Sequence, residues 1–211
     1  MLARNFTKTL WSALRTERRT LASKTLSPTP DPEVSKEDDI TVAFSVFLFN
    51  KRGDMLLQRR ASHKVTYPDY YSNACCSHPL YLNDNPEDIV TAARRRLNLE
   101  LGIPLDEMDP KMFKFLTKIH YHDPGDGVYG EHEIDHILFV QSDFTVKPNS
   151  DEISEYEAVL LFISTYMGPL TPWFNMIRRH RLKLWWDNLH RIHELADKPD
   201  KIHRFMNQNQ S

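Results

Sequence analysis

The chain has 211 residues, 40% of them hydrophobic and 11% aromatic, which is enough for one packed domain with a tail and too little for two clear domains. Its 27 basic and 29 acidic residues leave a formal net charge of -2, which excludes a protein that works by neutralising nucleic-acid phosphates over its whole surface; any anion site must be local. The two cysteines are adjacent, so no disulfide staples distant parts of the fold and a reducing compartment is expected; no apolar stretch approaches the roughly 20 residues of a membrane span.

Residues 1–30 carry Arg4, Lys8, Arg15, Arg18, Arg19 and Lys24 against one acid, Glu17, while Leu2, Phe6, Leu10 and Leu14 recur along one helical face. This composition predicts a mitochondrial presequence; a basic disordered tail, with a cytoplasmic or peroxisomal location, is the other reading. Pro28, Pro30 and Pro32 and the mostly acidic run from Glu33 to Asp39 make a linker, so the folded domain is expected over 40–200, followed by a polar tail over 201–211.

Thr41 to Phe49 (TVAFSVFLF) reads as a buried strand. Asn50 to Asp54 is a turn, and Met55 to Gln58 returns as the second strand of a hairpin, with Arg59, Arg60 and Lys64 near its end. A helix is predicted after Asn85, with Pro86 at its first position, Glu87 and Asp88 in its first turn and Gly102 past its end. Its apolar stripe, Ile89, Ala93, Leu97 and Leu101, packs inward, leaving Arg96 and Glu100 on a different face to meet a ligand. Met112 to Leu116, Ile134 to Val140 and the segment from Glu152 to Ile163 supply further strands, and Trp173 to Ala196 reads as helical. The class is α+β, a mixed, mostly strand-built core flanked by helices, with more helix at the C-terminus.

Two short segments carry chemistry. Cys76 and His78 lie two apart in a Ser-, Asn- and Pro-flanked stretch, where a thiol can give or take a proton; an inert buried cysteine pair is the alternative. Two cysteines and one histidine do not make a four-ligand structural zinc site. Glu131 and Glu133 flank His132, and in an extended segment alternate residues face one side, so both carboxylates can converge on one cation, with His78 completing a nitrogen and oxygen set. A solvated acidic turn is the other reading.

NACCSHP (Asn73 to Pro79), GVYGEHEID (Gly127 to Asp135), TPWF (Thr171 to Phe174) and KLWWDNL (Lys183 to Leu189) closely resemble type I isopentenyl-diphosphate isomerase, a Nudix-fold enzyme, in order from about Ala43 to about Leu189. The helix resembles a degenerate Nudix box: Glu87, Arg95 and Glu100 occupy expected polar positions, while Tyr81 replaces a glycine and Arg96 and Leu99 replace two acids. Those losses count against simple hydrolysis, which needs an acidic cluster to hold water-activating metals.

The resemblance implies a Nudix-like fold and the interconversion of isopentenyl and dimethylallyl diphosphate through a tertiary carbocation, in isoprenoid biosynthesis. It implies Cys76 and Glu133 as opposed proton-transfer groups, Tyr121 assisting the carboxylate, and the π face of Trp173 toward the cation. His78, Glu131 and Glu133 match ligands of a divalent ion, magnesium with manganese or zinc as alternatives, and Glu100 matches the ligand of a second magnesium that bridges to the diphosphate. Arg60, Lys64 and Ser77 match diphosphate contacts. The family also draws two metal-ligand histidines and a lysine from the stretch before the first core strand; here one histidine position is Thr41, and no histidine precedes His63. A weak or inactive isomerase-like prenyl-diphosphate binder and a Nudix diphosphate hydrolase are the alternatives. A monomer with a small-molecule substrate and no nucleic acid is expected.

Overall fold

A computed structural model of the chain describes residues 40–82, 85–125, 129–159 and 168–206. The expected presequence and linker over 1–39 lie outside the described residues, as do 160–163 of the stretch expected to supply a late strand.

The spine is β1 (Thr41–Phe49), whose residues from Ala43 to Phe49 are all buried. A strand covered on both faces needs a continuous apolar run rather than alternation, and that is what its sequence supplies. On one edge β1 pairs in parallel with β8 (Glu131–Gln141); on the other it pairs antiparallel with β4 (Cys75–Ser77). The predicted hairpin exists at its base, where Phe49 faces Met55. Beyond that pair β2 (Met55–Arg60) leaves β1 and takes β3 (Tyr71–Ser72) and β9 (Ile153–Val159) as partners, because β4 occupies the edge a full hairpin would use. β7 (Lys114–Asp123) runs antiparallel to β8. With β10 (Ile202–Met206) on β7, the eight-stranded sheet runs β10-β7-β8-β1-β2-β3, β4 joining β1 and β9 joining β2.

Helix α1 (Ile89–Leu101) covers one face: Ala92, Ala93, Leu97 and Leu101 pack on Phe44, Val46, Leu48, Leu138 and Val140. It starts later than predicted. Asp88 is its N-cap, accepting from Thr91 N at 2.9 Å, while Asn85 and Pro86 pair with Tyr81 and Leu82 in a separate small hairpin, β5 (Tyr81–Leu82) and β6 (Asn85–Pro86). The stop is as predicted: Gly102 has φ +66°, and a Cβ there would meet the carbonyl of Lys147 at 2.5 Å.

The opposite face is covered by α2 (Pro172–Ile177), a π-helical turn (Arg178–Leu182) and α3 (Lys183–Asp187). Trp185 and Trp186 insert between rings of the sheet: Trp186 meets Phe49 edge-on with centroids 5.3 Å apart, and Trp185 meets Phe139 at 5.6 Å. Much of the KLWWDNL segment is therefore packing.

Two further expectations are corrected. Met112 closes a 3-10 turn (Pro110–Met112), and strand β7 begins only at Lys114 but runs on to Asp123. The stretch expected as a C-terminal tail contains β10, which adds in parallel to the free edge of β7 and is clamped by Asp197, accepting from Thr117 Oγ1 at 2.8 Å and from His203 Nε2 at 2.6 Å. Hydrogen bonding to an open sheet edge ordered a segment whose polar composition reads as tail. Among the described residues no helix is long and apolar enough to cross a membrane.

Candidate active site

Strand periodicity sorts the chemistry. Along β1, Thr41, Ala43 and Ser45 share a face with Phe47 and Phe49; small side chains at one end give way to large rings at the other, so no bulky group rises from β1 near its start. Ser45 lies opposite Cys76 across the β1–β4 pair, and Thr41 opposite Glu133 across the β1–β8 pair. Residues in register share a face of the sheet, so β4 and β8 bring Cys76 and Glu133 to the same side from opposite edges of β1.

The same alternation separates the two cysteines. Cys75 is fully buried on the α1 side, its Sγ 3.5 Å from Glu100 Oε1. Cys76 is partly buried on the other side and packs against the cluster that contains Trp173 and Tyr121. Burial, with the Asp135, Glu133 and Glu131 carboxylates, pushes the Cys76 thiol well above its ordinary range.

Glu131, Glu133 and Asp135 all face this side from β8. Three carboxylates crowded together repel, and their neighbours relieve the repulsion. Tyr121 Oη reaches both Glu133 Oε2 at 2.7 Å and Glu131 Oε2 at 2.9 Å; His78 Nε2 sits 2.7 Å from Glu133 Oε1. Burial and the Glu133 charge together hold the Glu131 carboxyl above its ordinary range. The His78 side chain keeps 55% of its surface exposed; what desolvation its ring suffers would lower it, but the Glu133 carboxylate beside it outweighs that and leaves it raised. Asp135, fully buried, is pushed up to about 8 by burial and by Glu133.

Trp173 is the second residue of α2, 2% exposed, with Arg60 over its ring at 5.6 Å and the Tyr67 ring edge-on at 5.5 Å. Arg60 is held there by donating to the Thr66 carbonyl at 2.8 Å. Ser77, partly buried, ends β4 beside Cys76.

Two expected ligands are engaged with partners inside the protein. Glu100 does not present itself freely from an outer helix face: it is buried, 4% exposed, and accepts from Arg96 Nε at 2.8 Å. Lys64 is bonded to buried Glu152, whose carboxylate also lies 3.6 Å from Arg96. Together Lys64, Glu152, Arg96 and Glu100 form a charge-alternating network, because α1 packs on the sheet through this very face and a buried charge needs a partner. Glu87 and Arg95 form a second pair, Nη2 to Oε2 at 2.7 Å, so these Nudix-box positions brace the start of α1.

The donor chemistry of His78, Glu131 and Glu133 suits a divalent cation, one imidazole and two carboxylates, linked directly or through Tyr121. In the rotamers seen they hydrogen-bond to neighbours, and among the described residues no three such donors converge as a metal cage.

Sequence reasoning missed Ser45, Asp135 and Tyr67. Asp135 was visible as the third acid of the period-two pattern in Glu131-His132-Glu133-Ile134-Asp135, and Ser45 as the lone hydroxyl between the apolar residues of β1. Tyr67 had no local signal; it comes from a loop and bonds Asp123 at the far end of β7.

Comparison with known proteins places the geometry. A family model for the NUDIX domain matches residues 39–171. The isopentenyl-diphosphate Delta-isomerase of Dictyostelium discoideum is 42% identical over 180 residues, covering 77% of this chain and 75% of its own. The isopentenyl-diphosphate Delta-isomerase 1 of Mesocricetus auratus is 44% identical over 175 residues, 77% of each chain. Among solved structures, the MutT protein of Methanosarcina mazei superposes with a TM-score of 0.52 at 16% identity, over 72% of this chain and 96% of that one, a likeness of fold alone.

Proposed function

Because the chain belongs to the type I isopentenyl-diphosphate isomerases of the NUDIX superfamily, we propose that it interconverts isopentenyl and dimethylallyl diphosphate by proton addition and removal between Cys76 and Glu133. One observation carries this reading: β4 and β8 deliver Cys76 and Glu133 to the same face of the sheet from opposite edges of β1. A substrate lying across the small residues at the start of β1 meets one group on each side.

One of the pair adds a proton to the terminal alkene carbon, leaving a tertiary cation; the other removes a proton two carbons away, and the reverse reaction exchanges the roles. The electron-rich ring of Trp173 supports the cation, and the apolar cluster around it keeps water from quenching it. Tyr121, in contact with both Glu131 and Glu133, carries a proton between or toward the carboxylates. Arg60 and Lys64, with Ser77, receive the diphosphate; Lys64 then exchanges Glu152 for the ligand.

His78, Glu131 and Glu133 would hold a divalent cation, and Glu100, in the same charged network as Lys64, would hold a second magnesium on giving up Arg96. When bound, such an ion neutralises the carboxylates and the diphosphate and fixes their orientation. The set lacks the two histidines that the family takes from the segment before β1, so the affinity is expected to be reduced.

Incubation of the protein with isopentenyl diphosphate and magnesium tests this. Dimethylallyl diphosphate is the expected product. Released phosphate would instead make it a hydrolase, a reading disfavoured by Arg96 and Leu99 at two acidic positions of the box. A folded protein giving neither product would be an isomerase-like binder.

A further inference from the structure

We infer that Ser45, anchored by the buried carboxyl of Asp135, is a positioning residue that fixes the Cys76 sulfur for proton transfer. This rests on the reading of Cys76 as a proton-transfer group.

Ser45 Oγ lies 2.7 Å from Asp135 Oδ2 and 3.4 Å from Cys76 Sγ. Ser45 and Asp135 are both 0% exposed. A hydroxyl has one proton and two lone pairs, so Ser45 serves its two neighbours in either of two ways. With its proton on Asp135 it offers a lone pair to the S–H of Cys76. With its proton turned to Cys76 it releases Asp135 and stabilises the sulfur after that sulfur has given up a proton. Rotation about a single C–O bond changes one state into the other, which keeps the sulfur in place through both halves of the proton transfer.

The backbone makes the pivot rigid. Ser45 is laddered on both edges, to Cys76 in β4 and to Ile137 in β8, so neither its Cα nor the distance to the sulfur can drift. Its neighbours on β1, Phe44, Val46 and Phe47, are apolar and fully buried. A hydroxyl and a carboxyl have no packing role there that alanine or valine would not fill at lower desolvation cost.

Asp135 adds a second, independent sign. Its Oδ1 is buried with no hydrogen-bond partner among the described residues, while Oδ2 is committed to Ser45. Carboxyls kept for stability alone are normally satisfied at both oxygens, since an unsatisfied buried atom is costly. This one is retained to hold a single hydroxyl in place.

Steady-state kinetics on Ser45→Ala, Ser45→Thr, Asp135→Asn and the Ser45→Ala/Asp135→Asn pair test the assignment, with Cys76→Ala as reference. Loss of one aligned hydrogen bond predicts that Ser45→Ala lowers kcat about tenfold with KM changed less than about twofold, while Ser45→Thr, which keeps the hydroxyl, stays within about threefold. Asp135→Asn should slow the wild type yet add less than about twofold in the Ser45→Ala background, because it acts through Ser45. Iodoacetamide labelling of Cys76, resolved from Cys75 by mass spectrometry, should slow by about fivefold in Ser45→Ala and recover in Ser45→Thr. Full kcat and an unchanged labelling rate in Ser45→Ala overturn the inference, as does a threonine variant as impaired as the alanine one. Activity surviving in Cys76→Ala instead removes the reading of the cysteine itself.

Discussion

Thr41 stands directly across the parallel β1–β8 register from Glu133, on the face that carries the candidate site. Its hydroxyl donates to the His132 carbonyl at 3.3 Å, a backbone contact that contributes nothing to a cation. The position that the resemblance assigns to a metal-ligand histidine thus lies in register with Glu133 and carries a hydroxyl engaged by the backbone. Thr41→His should raise affinity for manganese or zinc at least about tenfold, since one added imidazole replaces a water in the coordination shell. Isothermal titration calorimetry reads this without reference to turnover; unchanged affinity would mean the cation is not held at His78, Glu131 and Glu133.

The opposite facing of the two cysteines predicts unequal effects. Cys76→Ala and Glu133→Gln should each lower kcat by about a hundredfold or more, the span of a lost acid–base group. Cys75→Ala, which touches Glu100 on the far side of the sheet, should leave kcat within about threefold and cost about 1 kcal/mol of stability. Measured rates and thermal midpoints for the three variants separate the faces, and equal loss of turnover in Cys75→Ala would count against the assignment.

Tyr121→Phe removes a hydroxyl that lies within 2.9 Å of both Glu131 and Glu133 while leaving the ring in the core. A drop in kcat of about tenfold is expected, equivalent to about 1.4 kcal/mol of transition-state stabilisation. The fold should survive, because the aromatic packing is retained, and circular dichroism checks that.

Asp197 predicts an acid limb to stability. Burial opposes its ionisation, but hydrogen bonds from Lys201, His203 and Thr117 outweigh it and bring the pKa from 3.8 down to about 2. A carboxyl with a depressed folded-state pKa stabilises the fold above its unfolded value and loses that contribution as pH falls through the folded one. The clamp on β10 should therefore hold near neutrality and weaken between pH 4 and about 2. Asp197→Asn should lower the thermal midpoint by a few degrees at pH 7, about 1 kcal/mol, with the gap to wild type closing near pH 2. A gap independent of pH would show that the clamp is not ionic.

Local pattern determined a good part of this protein. The mostly apolar run of β1, without polar alternation, announces a strand buried on both faces, Gly102 announces the end of α1, and the alternation of Glu131 and Glu133 already aligns two carboxylates. Each follows from a period or a backbone preference that acts within a few residues. What needed the tertiary structure was everything set by pairing across the chain. The β1–β4 register put Ser45 against Cys76 and turned Cys75 away, the packing of α1 tied Glu100 to Arg96, and the free edge of β7 drew Ile202 to Met206 into the sheet. Sequence neighbours know their own periodicity, but a side chain's partner is fixed only when strands distant in the chain choose an edge and a register, and that choice belongs to the whole fold.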